Sequence, residues 1–151
     1  MKLSIIVPVF NEEKTVQKLI DSIKKQTRIP DEIIFVDGGS TDHTKEIIED
    51  NISRYPNLNL KLFSKKGNRS VGRNEAIRKS KFEIILSTDA GGFLDKRWVE
   101  NITKPFINKK VDVVAGYYKG VHSSIFQKSL IPYVLVMRDK LSPENFLPAT
   151  R

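Results

Sequence analysis

The side chains able to do chemistry in this 151-residue chain lie in four short clusters, each directly after an apolar run. The first is Pro8-Val9-Phe10-Asn11-Glu12-Glu13. Phe10 can stack on a flat ring, and Asn11 or Glu12 can hydrogen-bond to a base or a sugar. The bland alternative is capping, with Asn11 as a helix N-cap and the glutamates favouring the helix dipole. The second cluster is Asp37-Gly38-Gly39-Ser40-Thr41-Asp42. Its glycines let the backbone approach a ligand closely or take positive φ. Asp37 can hold an amide N–H of a base or a hydroxyl of a sugar; it can equally organise a tight turn. Asp42 reads as charge at a helix start.

The third cluster is basic. From Leu58 to Phe82 there are eight Lys or Arg residues against one acid, Glu75. Asn68-Arg69-Ser70-Val71-Gly72-Arg73-Asn74 leads into a helix whose first amides favour anions. Arg69 and Arg73, four apart, share a helical face and can grip a diphosphate through their planar forks. A solvated basic face is the alternative. The fourth cluster is Ser87-Thr88-Asp89-Ala90-Gly91-Gly92. A carboxylate followed by small residues suits Mg²⁺ or Mn²⁺ that also binds phosphate, because such cations need only one or two protein carboxylates when phosphates supply other oxygens. Asp89 is the candidate metal ligand; a plain turn aspartate is the alternative.

These clusters need elements to position them. Five runs rich in Ile, Val and Leu read as strands: Leu3–Val7, Glu32–Val36, Leu58–Phe63, Glu83–Leu86 and Val111–Ala115. Several are nearly continuous, as in strands covered on both faces. Helical spacing fills the gaps: Val16, Leu19, Ile20 and Ile23 form one stripe, and Ile47, Ile48 and Ile52 another, with Ser40 or Thr41 as its cap. Val71–Lys79 is a third helix. A fourth is capped by Asp95, with Trp98, Val99, Ile102 and Phe106 inward and Pro105 ending or kinking it. Alternating strands and helices predict an α/β fold, a mostly parallel central sheet flanked by helices on both faces. In such a sheet ligands bind beyond the carboxyl ends of the strands, at the switch of strand order, so the four clusters should share one rim. Tyr117–Val121 reads as an edge strand or turn. Ser123–Met137 reads as an amphipathic helix broken near Pro132, and Ser142–Arg151 as an irregular tail.

Composition narrows the field. The apolar share of 39% excludes a disordered tail. The absence of cysteine excludes disulfides, thiolate metal sites and a cysteine nucleophile. A formal net charge of +8 favours an anionic partner. The basic stretch holds a single aromatic, Phe63, between Lys61 and Lys81, which disfavours a stacking nucleic-acid surface. The acids are not arranged as the flanking pair of a glycosidase. The longest apolar stretch, Leu130–Met137, is far short of the roughly 20 residues a membrane span needs, and the N-terminus lacks the features of a signal peptide. The expectation is a cytoplasmic protein, with Ser123–Met137 packed on the domain; the alternative is peripheral contact of that segment at the inner membrane face.

Taken in order and spacing, SIIVPVFNEE, VDGGSTD, the GRNEAI segment and the TDAGG turn resemble the family-two glycosyltransferases of the Rossmann-like GT-A fold, from about Lys2 to Gly116. The resemblance implies a nucleotide-diphospho-sugar donor (a UDP-, GDP- or dTDP-sugar), transfer with inversion, and assistance by Mg²⁺ or Mn²⁺. It places Pro8, Phe10 and Glu12 in the loop holding base and ribose, and Asp37 as the acid meeting the base. Asp89 matches the first Asp of the metal-binding DxD motif, and Arg73 a basic position ahead of it. With Asn11, Gly38, Arg69, Ala90 and Gly91 these make up the candidate donor site. The resemblance also assigns residues 1–120 to donor binding and residues 121–151 to the start of an acceptor-binding part.

Two departures from the family pattern stand out. The DxD motif reads Asp89-Ala90-Gly91, without its second carboxylate. Family members also continue into an acceptor half that carries the general base required by inverting transfer. Here the remaining acids are Asp139 and Glu144, and neither is marked as catalytic. The expected function is therefore glycosyl transfer to an unidentified acceptor. The alternative is a non-catalytic nucleotide-sugar-binding module. Separately, an exposed edge strand near Tyr117 or a bare apolar face offers a surface for a homodimer.

Overall fold

A computed structural model of the chain describes residues 1–108, 111–116 and 118–134. The chain divides into two units, Met1–Asn101 and Ile102–Arg151.

The first unit is an α/β layer structure. Strands β1 (Leu3–Val9), β2 (Glu32–Asp37), β3 (Leu60–Ser64) and β4 (Ile84–Ser87) form one sheet in the order β3-β2-β1-β4, with every pair parallel. Helices α1 (Val16–Lys24), α2 (Thr44–Arg54) and α3 (Arg69–Lys79) make the crossovers. The near-continuous apolar runs are explained by cover on both faces: every residue of β1 and β2 is buried. Successive side chains of a strand point to opposite faces. Ile6, Ile34 and Val36 pack with Ala76 of α3, joined by Phe63 and Ile85. The alternate residues, among them Ile5, Val7, Ile33 and Phe35, are also fully buried and belong to the opposite layer. The expected stripe of α1, Val16, Leu19, Ile20 and Ile23, is completely buried.

Three expectations about elements are corrected. The start of α2 is not capped by Ser40 or Thr41. It begins at Thr44, and Asp42 accepts the Thr44 N–H at 3.1 Å; Ser40 and Thr41 bond instead to Asn11, described below. Asn11 does not cap α1, whose N-cap position is Thr15. Finally, residues 111–116 form no strand, and Val113 is 68% exposed. A β-branched run becomes a strand only where neighbours complete its ladder, and among the described residues none pairs with this segment. Asp95 does act as expected, accepting the Arg97 N–H at 2.9 Å where α4 (Trp98–Thr103) begins.

In the second unit a 3₁₀ segment, Lys104–Asn108, contains Pro105. Residues 118–122 are irregular, and Tyr117 lies outside the described residues. Helix α5 (Ile125–Val134) starts at Ser124, whose hydroxyl accepts the Gln127 N–H at 3.2 Å. It runs through Pro132 rather than breaking there. Residues 135–151, including Asp139 and Glu144, lie outside the described residues. Among the described residues no helix is long and apolar enough to cross a membrane.

Candidate functional site

Parallel pairing decides where the four clusters go. Val9 lies opposite Asp37, Asp37 opposite Ser64, and Ile6 opposite Ser87. All four strands therefore end at the same rim, and residues 10–15, 37–43, 65–68 and 88–92 leave from it. The order reverses between β1 and β4, because β2 and β3 lie on one side of β1 and β4 on the other. That is the position where open α/β sheets form a ligand crevice.

Pro8 helps to open it. In β1 the odd residues bond toward β2, as the carbonyls of Leu3 and Val9 do with Asp31 and Gly38. The even residues bond toward β4, as the Ile6 carbonyl does with Thr88. The β1–β4 register stops at Ile6 and Ser87. Pro8, which has no N–H to donate, thus sits where the ladder has already ended, which is how a central strand tolerates proline. Its ring also meets α3: a Cβ on Gly72 would lie 3.1 Å from the Pro8 Cβ. Gly72 is the small residue that lets α3 lie this close to β1.

The loops after β1 and β2 are stitched together. Asn11 takes a left-handed conformation with φ 54°. Its N–H donates to the Ser40 hydroxyl at 2.9 Å, and its side-chain oxygen accepts the Thr41 N–H at 2.9 Å. Glu12 donates its N–H to the Thr44 hydroxyl at 2.7 Å, and Glu13 donates its own to Asp42 at 3.1 Å. Burial pushes the Asp42 carboxyl up, but the Thr44 hydroxyl and the N–H groups of Glu13 and Thr44 outweigh it and hold the pKa below its ordinary value. The Glu12 carboxylate accepts from the Thr15 hydroxyl within its own turn.

Asp37 is buried, and its carboxylate accepts the N–H groups of Gly39 at 3.0 Å and Ser40 at 3.1 Å. It organises the turn that carries the second cluster. Gly38 lies where three loops meet. Its N–H reaches the Val9 carbonyl at 2.9 Å, its carbonyl accepts from Gly67, and a Cβ there would come within 3.0 Å of the Gly67 carbonyl oxygen. Phe10 projects from this packed base and is 58% exposed.

On the other side of β1, α3 presents its arginines to the turn after β4. Arg73 Nη2 donates to Asp89 Oδ1 at 3.1 Å, and Arg73 Nε donates to the Ser87 hydroxyl at 3.1 Å. Arg69 Nη1 is 3.5 Å from Asp89 Oδ2. Asn68 caps α3 by accepting the Val71 N–H at 3.1 Å. Ala90 is buried, whereas Gly91 and Gly92 are exposed, and a Cβ on either would meet nothing within 4 Å. Among the described residues no group of three His, Cys, Asp or Glu side chains is placed to hold a metal ion.

All the candidate residues therefore lie at the carboxyl rim or beside it. Asn11, Glu12, Asp37 and Gly38 join one loop assembly, and Arg69, Arg73 and Asp89 form a second cluster. Sequence reasoning gave no role to Ser87, which it placed in the fourth cluster, and passed over Thr44 and Gly67. The signal for Gly67 was present as a glycine before a helix cap; it has φ 152°, and a Cβ would fall 2.8 Å from Val71. Nothing in the sequence singled out the two hydroxyls.

Comparison with known proteins finds similarity to named glycosyltransferases. The model for "Glycosyl transferase family 2" matches residues 4–142. The chain is 31% identical to the poly(ribitol-phosphate) beta-N-acetylglucosaminyltransferase TarS of Staphylococcus aureus, over 93% of this chain and 26% of TarS. It is 30% identical to glycosyltransferase AglE of Haloferax volcanii, over 76% of this chain and 38% of AglE. The crystal structure of S. aureus TarS 1–349 with UDP superposes with a TM-score of 0.69, covering 82% of this chain and 37% of that one at 31% identity. Mannosyltransferase PcManGT of Pyrobaculum calidifontis, in complex with GDP-Man and Mn²⁺, gives a TM-score of 0.69 at 26% identity, covering 79% of this chain and 36% of that one. The chain thus spans about a quarter to two fifths of the length of these relatives, and it shares the Rossmann-like GT-A fold with TarS.

Proposed function

Because the chain belongs to glycosyl transferase family 2, we propose that it binds a nucleotide-diphospho-sugar at the carboxyl rim of its sheet and serves the donor side of an inverting, metal-assisted glycosyl transfer. The observation that carries this reading is the convergence of Phe10, Asp37, Arg69, Arg73 and Asp89 on one rim, at the switch point between β1 and β4. We assign the donor role to residues 1–120.

Each residue has a chemical task in this reading. Phe10 offers an exposed ring on which a base can stack. The Asp37 turn, tied to Asn11 through Ser40 and Thr41, holds the floor of the base site rigid, and the Asp37 carboxylate keeps acceptor capacity for an amide N–H of the base. Arg69, Arg73 and the first amides of α3 face the diphosphate and stabilise the charge that builds on it as the leaving group departs. The acceptor hydroxyl must lose a proton as it attacks the anomeric carbon, with the bond to the diphosphate breaking on the opposite side.

Asp89 is the sole carboxylate of its turn, so phosphate oxygens and water would complete the coordination shell of a divalent cation held there. When bound, such an ion screens the diphosphate leaving group.

Thermal unfolding of the chain with UDP-, GDP- and dTDP-sugars plus Mn²⁺ tests the donor reading. A ligand at a hundred times its Kd stabilises the folded state by about 2.7 kcal/mol. Phe10→Ala, which removes an exposed ring, should weaken binding by about 0.5–1.5 kcal/mol, and Asp89→Ala should abolish the metal-dependent part of the shift. No shift with any of these nucleotides overturns the proposal. Release of nucleoside diphosphate in a turnover assay separates transfer from binding alone.

A further inference from the structure

In this structure the carboxylate assigned to a cation is already engaged. Asp89 Oδ1 accepts from Arg73 at 3.1 Å, and Oδ2 lies 3.5 Å from Arg69. Both guanidiniums come from the same face of α3, one turn apart. Arg73 is aimed by its second bond, to the Ser87 hydroxyl at 3.1 Å. Two full positive charges against one negative leave this cluster cationic. A divalent ion approaching Asp89 meets two guanidiniums, and each carboxylate oxygen is beside one of them. A diphosphate meets the reverse situation, since it is attracted by the same excess charge and offers the oxygens that planar guanidinium forks bind best. The side chains are 68% exposed for Arg69 and 36% for Arg73, so a phosphate can reach both guanidiniums from solvent.

Building on the donor-site reading, we propose that Arg69 and Arg73 mask Asp89 as a cation ligand until a diphosphate takes over their charge, so that nucleotide and divalent cation bind in a coupled way. The free chain then has little affinity for the cation. It has its own affinity for the diphosphate, because the arginines need no metal to bind it. Once they have turned to the phosphates, the Asp89 carboxylate is released beside them. Linkage makes the effect reciprocal: the cation raises nucleotide affinity by the factor by which the nucleotide raises cation affinity. In the DAG form of the motif, which lacks the second carboxylate, this exchange makes the nucleotide the gatekeeper of the cation site.

The test uses the full chain and two probes, UDP or GDP by calorimetry and Mn²⁺ by the loss of its free-ion electron paramagnetic resonance signal. Wild type should bind one of the nucleotides without metal and bind Mn²⁺ weakly without nucleotide. Arg69→Gln/Arg73→Gln should reverse this, binding Mn²⁺ alone about tenfold more tightly than wild type and losing metal-free nucleotide binding. Asp89→Asn should show no protein-bound Mn²⁺, and it reports the association of Mn²⁺ with nucleotide in solution. Arg69→Gln alone, which removes only the longer ion pair, should shift Mn²⁺ affinity in the same direction and serves if the double variant does not fold. Mn²⁺ binding that is equally tight in wild type and the arginine variants overturns the masking role while leaving the donor site standing. Failure of both nucleotides to bind wild type, with or without Mn²⁺, overturns the donor site itself and the exchange with it.

Discussion

Replacing Glu32 with glutamine tests how the sheet that carries the site is held together. Glu32 opens β2 at the end opposite the rim, and its side chain is completely buried. Three donors converge on it: the Ser4 hydroxyl and the Lys81 N–H, each at 2.6 Å on Oε1, and the Lys61 ammonium at 2.7 Å on Oε2. They come from β1, from the turn before β4 and from β3, so one carboxylate ties the neighbouring strands to β2. Glutamine keeps Oε1 and its two bonds but sets an amide NH₂ against the Lys61 ammonium. Lys61 is 27% exposed, so its head can turn to water and escape that contact. The loss is then one charge-assisted hydrogen bond, about 1.5–3 kcal/mol, or a Tm lower by about 3–12 °C for a chain of this size. Alanine strips all three donors of their acceptor, including the fully buried Ser4 hydroxyl, and should cost about 3–5 kcal/mol.

The pH dependence provides a second readout. Burial pushes the Glu32 carboxyl up, but Lys61, the Lys81 N–H and Ser4 outweigh it, and the pKa lies below the ordinary value. A folded pKa below the unfolded one means that the unfolded chain takes up the proton first as pH falls. The stabilisation is therefore complete above the ordinary glutamate range and is lost as pH drops through the folded value. Glutamine does not titrate. In urea unfolding the gap between wild type and Glu32→Gln should be widest at neutral pH and should close below about pH 4. Nucleotide binding by the folded variant should match wild type, because the carboxylate lies at the other end of the strands. Equal stabilities at neutral pH, or a gap unchanged at about pH 3, would refute the reasoning.

Two substitutions at the rim extend this. Gly38→Ala places a Cβ 3.0 Å from the Gly67 carbonyl oxygen and must spread the three loops meeting there; the expected cost is about 1–3 kcal/mol in denaturant unfolding, with weaker nucleotide binding, and an unchanged midpoint would count against the close approach. Gly91→Asp enters open space, with nothing within 4 Å of a Cβ; it should fold as wild type does and raise Mn²⁺ affinity in the presence of UDP, by calorimetry, because it supplies the second carboxylate that the DAG sequence lacks.

Much of this protein was legible in its residues because local physics writes it there. The α1 stripe of Val16, Leu19, Ile20 and Ile23 follows from the helical repeat, and all four are buried. The unbroken apolar runs of β1 and β2 announced strands covered on both faces. Alternating strand and helix signals implied parallel pairing, and parallel pairing alone brings Phe10, Asp37 and Asp89 to one end of the sheet. Three of the four family motifs were readable for the same reason, since each is a strand tip with its turn; the GRNEAI segment lies within α3.

What escaped the sequence depends on contacts between distant residues. Whether Val111–Ala115 becomes a strand rests on a partner that sequence patterning cannot supply, and among the described residues it has none. Asn11 looked like a helix cap, but a left-handed backbone and the arrival of Ser40 and Thr41, some thirty residues later, make it a bridge between loops. Glu32 read as one more residue of a strand, and only the convergence of Ser4, Lys61 and Lys81 makes its burial tolerable. Arg69, Arg73 and Asp89 were each visible as charged groups of the right chemistry. That the arginines close on the carboxylate follows from α3 packing tightly over Pro8 at Gly72. Periodicity and turn chemistry act over a few residues and survive in the linear order. Charge pairing, burial of polar groups and loop bridging act through space, and only the folded chain brings their partners within reach.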